Sequence, residues 1–287
     1  MRIVVAKIEF IILSDSTCAL EYCKANFRTY TEYDGAPEHT IKIKVDVEDD
    51  FVCLLDFSPK LGWEMNKNGY VLSVNSGNSQ KLLRAYIDLD FSECVIEMQN
   101  ASIEVLGLAI SVLWRIISAR YSAILLHASA FVHRGMGCVC CAHSGGGKST
   151  FLDMMKMPAL TDEMSCIVTE KSLGIPKYQT IPWRDLLGSN LSYPLGIICI
   201  LNKSRETYIR EVPKDVAEIL LKKFLYFNFW INGSKDRANR EIGKIVKKVP
   251  VVECGFSLIT SPQDVLMLID NAMNDFVIDE GANVDEI

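Results

Sequence analysis

The sequence predicts an α+β protein in which a mixed-sheet P-loop nucleotide-binding core follows an N-terminal β-rich region. Three observations carry this. Residues 142–150 read Ala-His-Ser-Gly-Gly-Gly-Lys-Ser-Thr, between a strand-like and a helix-like segment. The first hundred residues alternate apolar and polar positions over short runs. Strands therefore precede the glycine run, whereas a doubly wound parallel nucleotide fold opens on the strand that feeds its loop. The expected division is a β-rich domain over 1–100, a P-loop domain over 101–275 and an acidic tail over 276–287.

In chain order, Ile3 to Leu13 suits a strand, because Lys7 and Glu9 interrupt an apolar run that a signal peptide would keep unbroken. Ile41-Lys42-Ile43-Lys44-Val45-Asp46-Val47 and Tyr70-Val71-Leu72-Ser73-Val74 follow the two-residue period of half-buried strands. Turn signals at Asp34-Gly35, Asn68-Gly69 and Ser76-Gly77-Asn78 imply hairpins between such strands. Ile103 to Arg120 turns helical and is expected to bridge the two halves. Leu125 to Phe131, the turn glycines Gly135 and Gly137, and Met136 to Cys141 predict a hairpin leading into the glycine run. Thr150 to Met157 is a helix stopped by Pro158. Pro194 to Leu201 reads as a buried strand, and Lys214 to Trp230 as a long aromatic-rich helix.

A net charge of −6, from 30 basic and 36 acidic residues, gives no general footprint for nucleic acid. Val105 to Ile117 is too short to span a bilayer, so no membrane partner is expected. Ten cysteines without paired Cys-x-x-Cys spacing point to reduced thiols and a cytoplasmic protein. Cys138, Cys140 and Cys141 fall in the strand before the loop, where core packing competes with metal ligation. Asp279, Glu280, Asp285 and Glu286 read as a solvated tail. A homo-oligomer is left open.

The glycine run has the chemistry of a phosphate cradle. Ser144, Gly145, Gly146 and Gly147 allow successive N–H groups to turn inward, Lys148 neutralises terminal phosphate charge, and the Ser149 hydroxyl, followed by Thr150, suits magnesium. Ala142 stands where the usual pattern has its first glycine. A glycine-rich hairpin turn with an incidental lysine is the competing reading.

Leu125-Leu126-His127-Ala128-Ser129-Ala130, the hairpin glycines, Ser144 to Thr150 and Thr161-Asp162-Glu163 together resemble the catalytic domain of HPr kinase/phosphorylase-like proteins. That family shares its core with ATP-type phosphoenolpyruvate carboxykinase. Ile181-Pro182-Trp183, Pro194 to Ile198 before Leu201-Asn202-Lys203, and Val249-Pro250-Val251 before Glu253-Cys254 resemble the smaller members of the family. The resemblance spans roughly residues 100 to 270. It implies ATP and Mg2+ as cofactors and transfer of a γ-phosphoryl group to a serine or other hydroxyl of a protein or peptide substrate. It implies catalytic roles for His127, Asp162 and Glu163, with Ser149 and Asp162 holding the metal. Phosphoryl transfer needs such a carboxylate for the metal and another group near the attacking hydroxyl. A solvated turn or helix cap for Asp162-Glu163, and a core histidine for His127, are the structural alternatives.

The sequence departs from true HPr kinases in four respects. The loop-to-acid segment is shorter, the second acid is Glu163 rather than aspartate, and Thr150 stands where they place an acid. The glycine-rich signature of phosphorylase function is missing near the C-terminus, so neither HPr nor phosphorolysis is implied. A nucleotide-binding scaffold or sensor without phosphotransfer, and a small-molecule kinase of the same fold, are the rival readings. Phe224, Tyr226, Phe227, Phe229 and Trp230 suit core packing or a peptide site. Arg184 and Arg205 are phosphate-clamp or surface residues, and Lys244, Lys247 and Lys248 a solvated helix face.

Overall fold

The computed structural model describes residues 1–31, 36–47, 60–77, 80–99, 103–121, 123–169, 176–179, 191–226 and 233–282. Their contacts separate two units, Met1–Ser122 and Ala123–Ile181 with Leu191–Ile287. The mixed α+β class expected from the sequence is present in both.

In the first unit β1 (Arg2–Val5) and β2 (Ile8–Ser14) form a hairpin. Its turn, Ala6-Lys7, has φ of 48° and 67°. Such mirror-image turns match strand twist but normally carry Asn or Gly, so the run read as one strand is two. Helix α1 (Thr17–Asn26) is capped by Ser16, whose hydroxyl accepts from the Ala19 N–H at 3.3 Å. It is the crossover to β3 (His39–Val47), which pairs in parallel with β2. Strands β4 (Lys60–Asn66), β5 (Gly69–Asn75), β6 (Lys81–Asp88) and β7 (Glu93–Met98) then form an antiparallel meander. Because β7 joins β3 in parallel, the seven strands make one mixed sheet in the order β1-β2-β3-β7-β6-β5-β4.

Alternation sets its faces: Ile41, Ile43 and Val45 are buried, Lys42 and Lys44 exposed. Helices α1 and α2 (Ile103–Tyr121) pack on the sheet, and the buried Trp114 indole donates to the Val5 carbonyl at 3.2 Å. The helix expected to bridge the halves therefore packs within the first unit, because its broad apolar face is spent on that sheet. Among the described residues no helix is long and apolar enough to cross a membrane. The turn signals at Asp34-Gly35 and Asn78 lie outside the described residues.

In the second unit β8 (Ala123–His133) and β9 (Met136–Cys141) form the predicted hairpin, through Arg134 and Gly135 at φ of 49° and 76°. There follow α3 (Lys148–Met155), β10 (Ala159–Thr161), β11 (Met164–Val168), β12 (Lys177–Gln179) and β13 (Ser192–Lys203). The chain continues through β14 (Tyr208–Glu211), α4 (Lys214–Lys223), α5 (Ser234–Lys248), β15 (Val251–Phe256) and α6 (Pro262–Ala282). The long strands β8 and β13 each serve two neighbourhoods. Their first parts are linked through β11 and β12, and their later parts flank β9. Strands β9, β13 and β15 run parallel, so their carboxyl ends share one edge.

Strand β9 is buried on both faces. Val139 and Cys141 pack with α4 and α5, whereas Cys138 and Cys140 pack with Phe151 of α3 and Val265 and Ile269 of α6. Two covered faces explain its unbroken apolar run. All three of its cysteines are free thiols in the core.

The helix read as Lys214 to Trp230 ends at Lys223. Leu225 then bridges to Leu126, because this edge of β8 offers backbone groups that need partners. Phe227, Phe229 and Trp230 lie outside the described residues. Helix α6 runs to Ala282, so much of the expected acidic tail is helical; residues 283–287, with Asp285 and Glu286, lie outside the described residues.

Candidate nucleotide-binding site

Residues 142–147 connect β9 directly to α3. The Gly146 N–H donates to the His143 carbonyl at 2.8 Å, and Gly145 and Gly147 take φ of 72° and 94°. Gly147 is the N-cap of α3 and supplies no capping side chain. The first N–H groups of the helix are thus left for an external acceptor, the arrangement that suits an anion. A Cβ on Gly146 would lie 2.8 Å from both the Ala142 Cβ and the His143 carbonyl. Ala142 itself is buried in the apolar cluster around Phe151, so the residue replacing the usual glycine acts as core.

Lys148 opens α3 and is only 9% exposed. Its ammonium donates to the Ala142 carbonyl at 3.1 Å. Burial lowers its pKa, and the negative charges of Glu163 and Asp162 oppose that shift. Ser144, Gly145, Ser149 and Thr150 are exposed, and Gly146 and Gly147 half-buried. The helix is anchored by Phe151, fully buried and edge-on to Phe256 with ring centroids 5.0 Å apart.

His127 lies on β8 opposite Met164 of β11. The next amide, Ala128 N–H, donates to the Glu163 carbonyl at 3.1 Å. Asp162 and Glu163 form the bend between β10 and β11, with the Thr161 hydroxyl accepting the Met164 N–H at 3.3 Å. Asp162 is exposed, whereas Glu163 and His127 are half-buried. Burial, then the charges of Lys148 and His143, push the His127 pKa down, and Glu163 opposes them. A depressed pKa leaves the imidazole neutral near pH 7 and able to accept a proton.

The charge of Lys148 thus reaches His127, Asp162 and Glu163, and that of Glu163 reaches His127. Among the described residues no hydrogen bond joins Ser149 to Asp162, and no group of three or more His, Cys, Asp or Glu side chains is arranged to hold a metal ion.

Four features went unread in the sequence. Lys203, at the end of β13, donates from its ammonium to the Gly145 carbonyl at 2.9 Å. Phe256, at the end of β15, sits against Gly147. The His143 ring lies 5.1 Å from that of Phe224. Tyr226 flanks His127 at 6.5 Å, placed there because the His127 N–H donates to Phe224 and the Tyr226 N–H to Leu125. Lys203 and Phe256 each close a buried run, and only the parallel pairing of β9, β13 and β15 brings those ends to the loop. Arg205 is exposed between β13 and β14. Arg184 and Ile181-Pro182-Trp183 lie outside the described residues.

No family model matches the chain, and no curated protein matches it. Among solved structures, the Hpr(Ser) kinase/phosphatase from Coxiella burnetii is similar at 12% identity, over 57% of this chain and 99% of that one. The TM-score is 0.33, a distant likeness.

Proposed function

We propose that the protein is an ATP- and magnesium-dependent kinase that transfers the γ-phosphoryl group to a serine or other hydroxyl of a protein or peptide. The observation that supports this is the grouping of a buried loop lysine, Lys148, with a neutral histidine, His127, and the adjacent acids Asp162 and Glu163. Lys148 and the loop amides hold the phosphates. The Ser149 hydroxyl and the Asp162 carboxylate are hard oxygen donors, which fit magnesium carried in by a nucleotide. Bound magnesium would offset charge on the phosphate oxygens. Glu163 and His127 lie nearest the acceptor, where either can orient its hydroxyl or take its proton. The free thiols fit a cytoplasmic setting.

Titration calorimetry with ATP, with and without magnesium, tests the reading. Binding is expected only with magnesium and is lost in Lys148→Ala; magnesium-independent binding, or an unaffected variant, overturns it. A second reading, a nucleotide-binding scaffold without phosphotransfer, draws on Thr150, exposed where true HPr kinases place an acid.

A further inference from the structure

We propose that Lys203 is a second cation of the phosphate site, a positioning residue that grips a polyphosphate chain together with Lys148. The proposal rests on the nucleotide reading above and adds to it which ligands the loop prefers.

Register explains how Lys203 reaches the loop. Cys141, the last residue of β9, pairs with Ile200 of the parallel strand β13. Strand β13 continues to Lys203, three residues further, an overhang of about 10 Å at the usual rise per residue. That length carries its side chain alongside residues 142–147. The stem is close enough that a Cβ on Gly147 would lie 3.2 Å from Lys203 Cε, with Phe256 Cζ at 3.1 Å on the same glycine.

Two ammonium groups from different elements therefore rest on carbonyls of one short loop. Lys148 donates to Ala142 at 3.1 Å and Lys203 to Gly145 at 2.9 Å. A carbonyl carries no charge to balance an ammonium. Among the described residues no carboxylate pairs with Lys203, which is exposed. An anionic oxygen is the stronger acceptor, so each lysine exchanges its carbonyl for phosphate when a ligand enters. Two cations resting at separate points of one loop, Ala142 and Gly145, suit an anion with more than one charged group, a di- or triphosphate, rather than a single phosphate. Lysine serves here as a mobile point charge able to follow the terminal group.

The test is calorimetric titration of magnesium-ATP and of inorganic tripolyphosphate into the parent protein, Lys203→Met and Lys203→Arg. Methionine keeps an unbranched stem over Gly147 and removes the charge. Expected are an unchanged melting temperature without ligand, affinity for both ligands about tenfold weaker in Lys203→Met, and recovery of most of that loss in Lys203→Arg. Parent-like binding by Lys203→Met overturns the proposal, and so does a loss that arginine fails to recover, which would make the side chain a brace only. Tripolyphosphate binding that needs Lys203, with no preference for ATP, keeps this proposal and sinks the nucleotide reading. ATP binding that needs Lys148 and ignores Lys203 does the reverse. If neither ligand binds, both fall.

Discussion

The amide of Ala128 donates to the carbonyl of Glu163 at 3.1 Å, and this backbone bond fixes how the histidine strand meets the acidic bend. His127 pairs with Met164 at the start of the ladder between β8 and β11, and the Ala128 bond holds the adjoining Glu163 of the bend to the same strand. Their spacing thus depends on backbone pairing and not on a contact between mobile side chains, and a bend pinned to a strand holds geometry better than a free loop.

The electrostatics of that placement can be read by NMR, since the chain has 4 histidines to follow. The His127 imidazole is expected to titrate below its ordinary value of 6.5, because burial and the Lys148 charge both disfavour the cation. Lys148→Met should move the midpoint up, and Glu163→Gln should move it down. A folded pKa below the unfolded one means that the unfolded chain takes up more protons as pH falls through 6.5. His127 therefore costs stability on the acid side and nothing above it, and His127→Gln should flatten that limb of the denaturation profile. A midpoint at or above 6.5 that neither variant moves would mean that these groups are not neighbours.

Gly146 and Gly145 should respond differently to alanine. At Gly146 the new methyl meets the Ala142 Cβ and the His143 carbonyl, each at 2.8 Å. The loop must then shift, at a cost of about 1–3 kcal/mol, and ATP binding should be lost with it. At Gly145 nothing lies within 4 Å of the new methyl, and only its φ of 72° resists, worth about 1–2 kcal/mol. Denaturant melts with ATP titrations check both; equal effects on binding would contradict the loop geometry.

In the first unit, Gly107 of α2 lets Tyr22 of α1 approach closely. A methyl there would sit 2.3 Å from the Tyr22 hydroxyl oxygen. Burial, with Glu104 nearby, already pushes the Tyr22 pKa up to about 12. Gly107→Ala is expected to destabilise the protein by about 1–3 kcal/mol. In a Tyr22→Ser background the same change should stabilise it by up to about 1 kcal/mol, because alanine is the better helix residue. A double-mutant cycle in urea measures the sign reversal, and additivity of the two changes would refute the contact.

What the sequence revealed and what it hid follow from the range of the forces involved. The β8–β9 hairpin and the loop were legible because Gly135, the buried run 136–141 and the glycines before Lys148 act over a few residues. The Ala6-Lys7 turn was hidden because neither residue carries the usual signal for positive φ. Helix α1 could have been found from Ser14-Asp15-Ser16-Thr17, a capping cluster masked by the apolar run before it. The end of α4 at Lys223 was set by the open edge of β8, a partner nearly a hundred residues earlier. Lys203 is the same kind of case, since only the parallel register of β9 and β13 puts it beside Gly145.

The acidic pair decides between a kinase and a scaffold, and the two carboxylates should fail differently. Asp162 is exposed and close enough to Lys148 to bias its charge, which suits a group that works through the metal. Asp162→Asn should therefore weaken magnesium-dependent ATP binding as well as turnover. Glu163 is half-buried beside His127, and its charge supports the proton on that ring, which fits the role proposed for it near the acceptor. Glu163→Gln should leave ATP affinity close to the parent value and slow phosphotransfer by about a hundredfold or more, the scale of a lost general base. Single-turnover hydrolysis of ATP, with water standing in for the hydroxyl, measures the chemical step without knowledge of the natural acceptor. Parent-like rates in both variants would leave the loop as a binding site and favour the scaffold. Loss in Glu163→Gln with affinity retained is what transfer chemistry requires, because an interaction used only in the transition state lowers the rate without loosening the substrate.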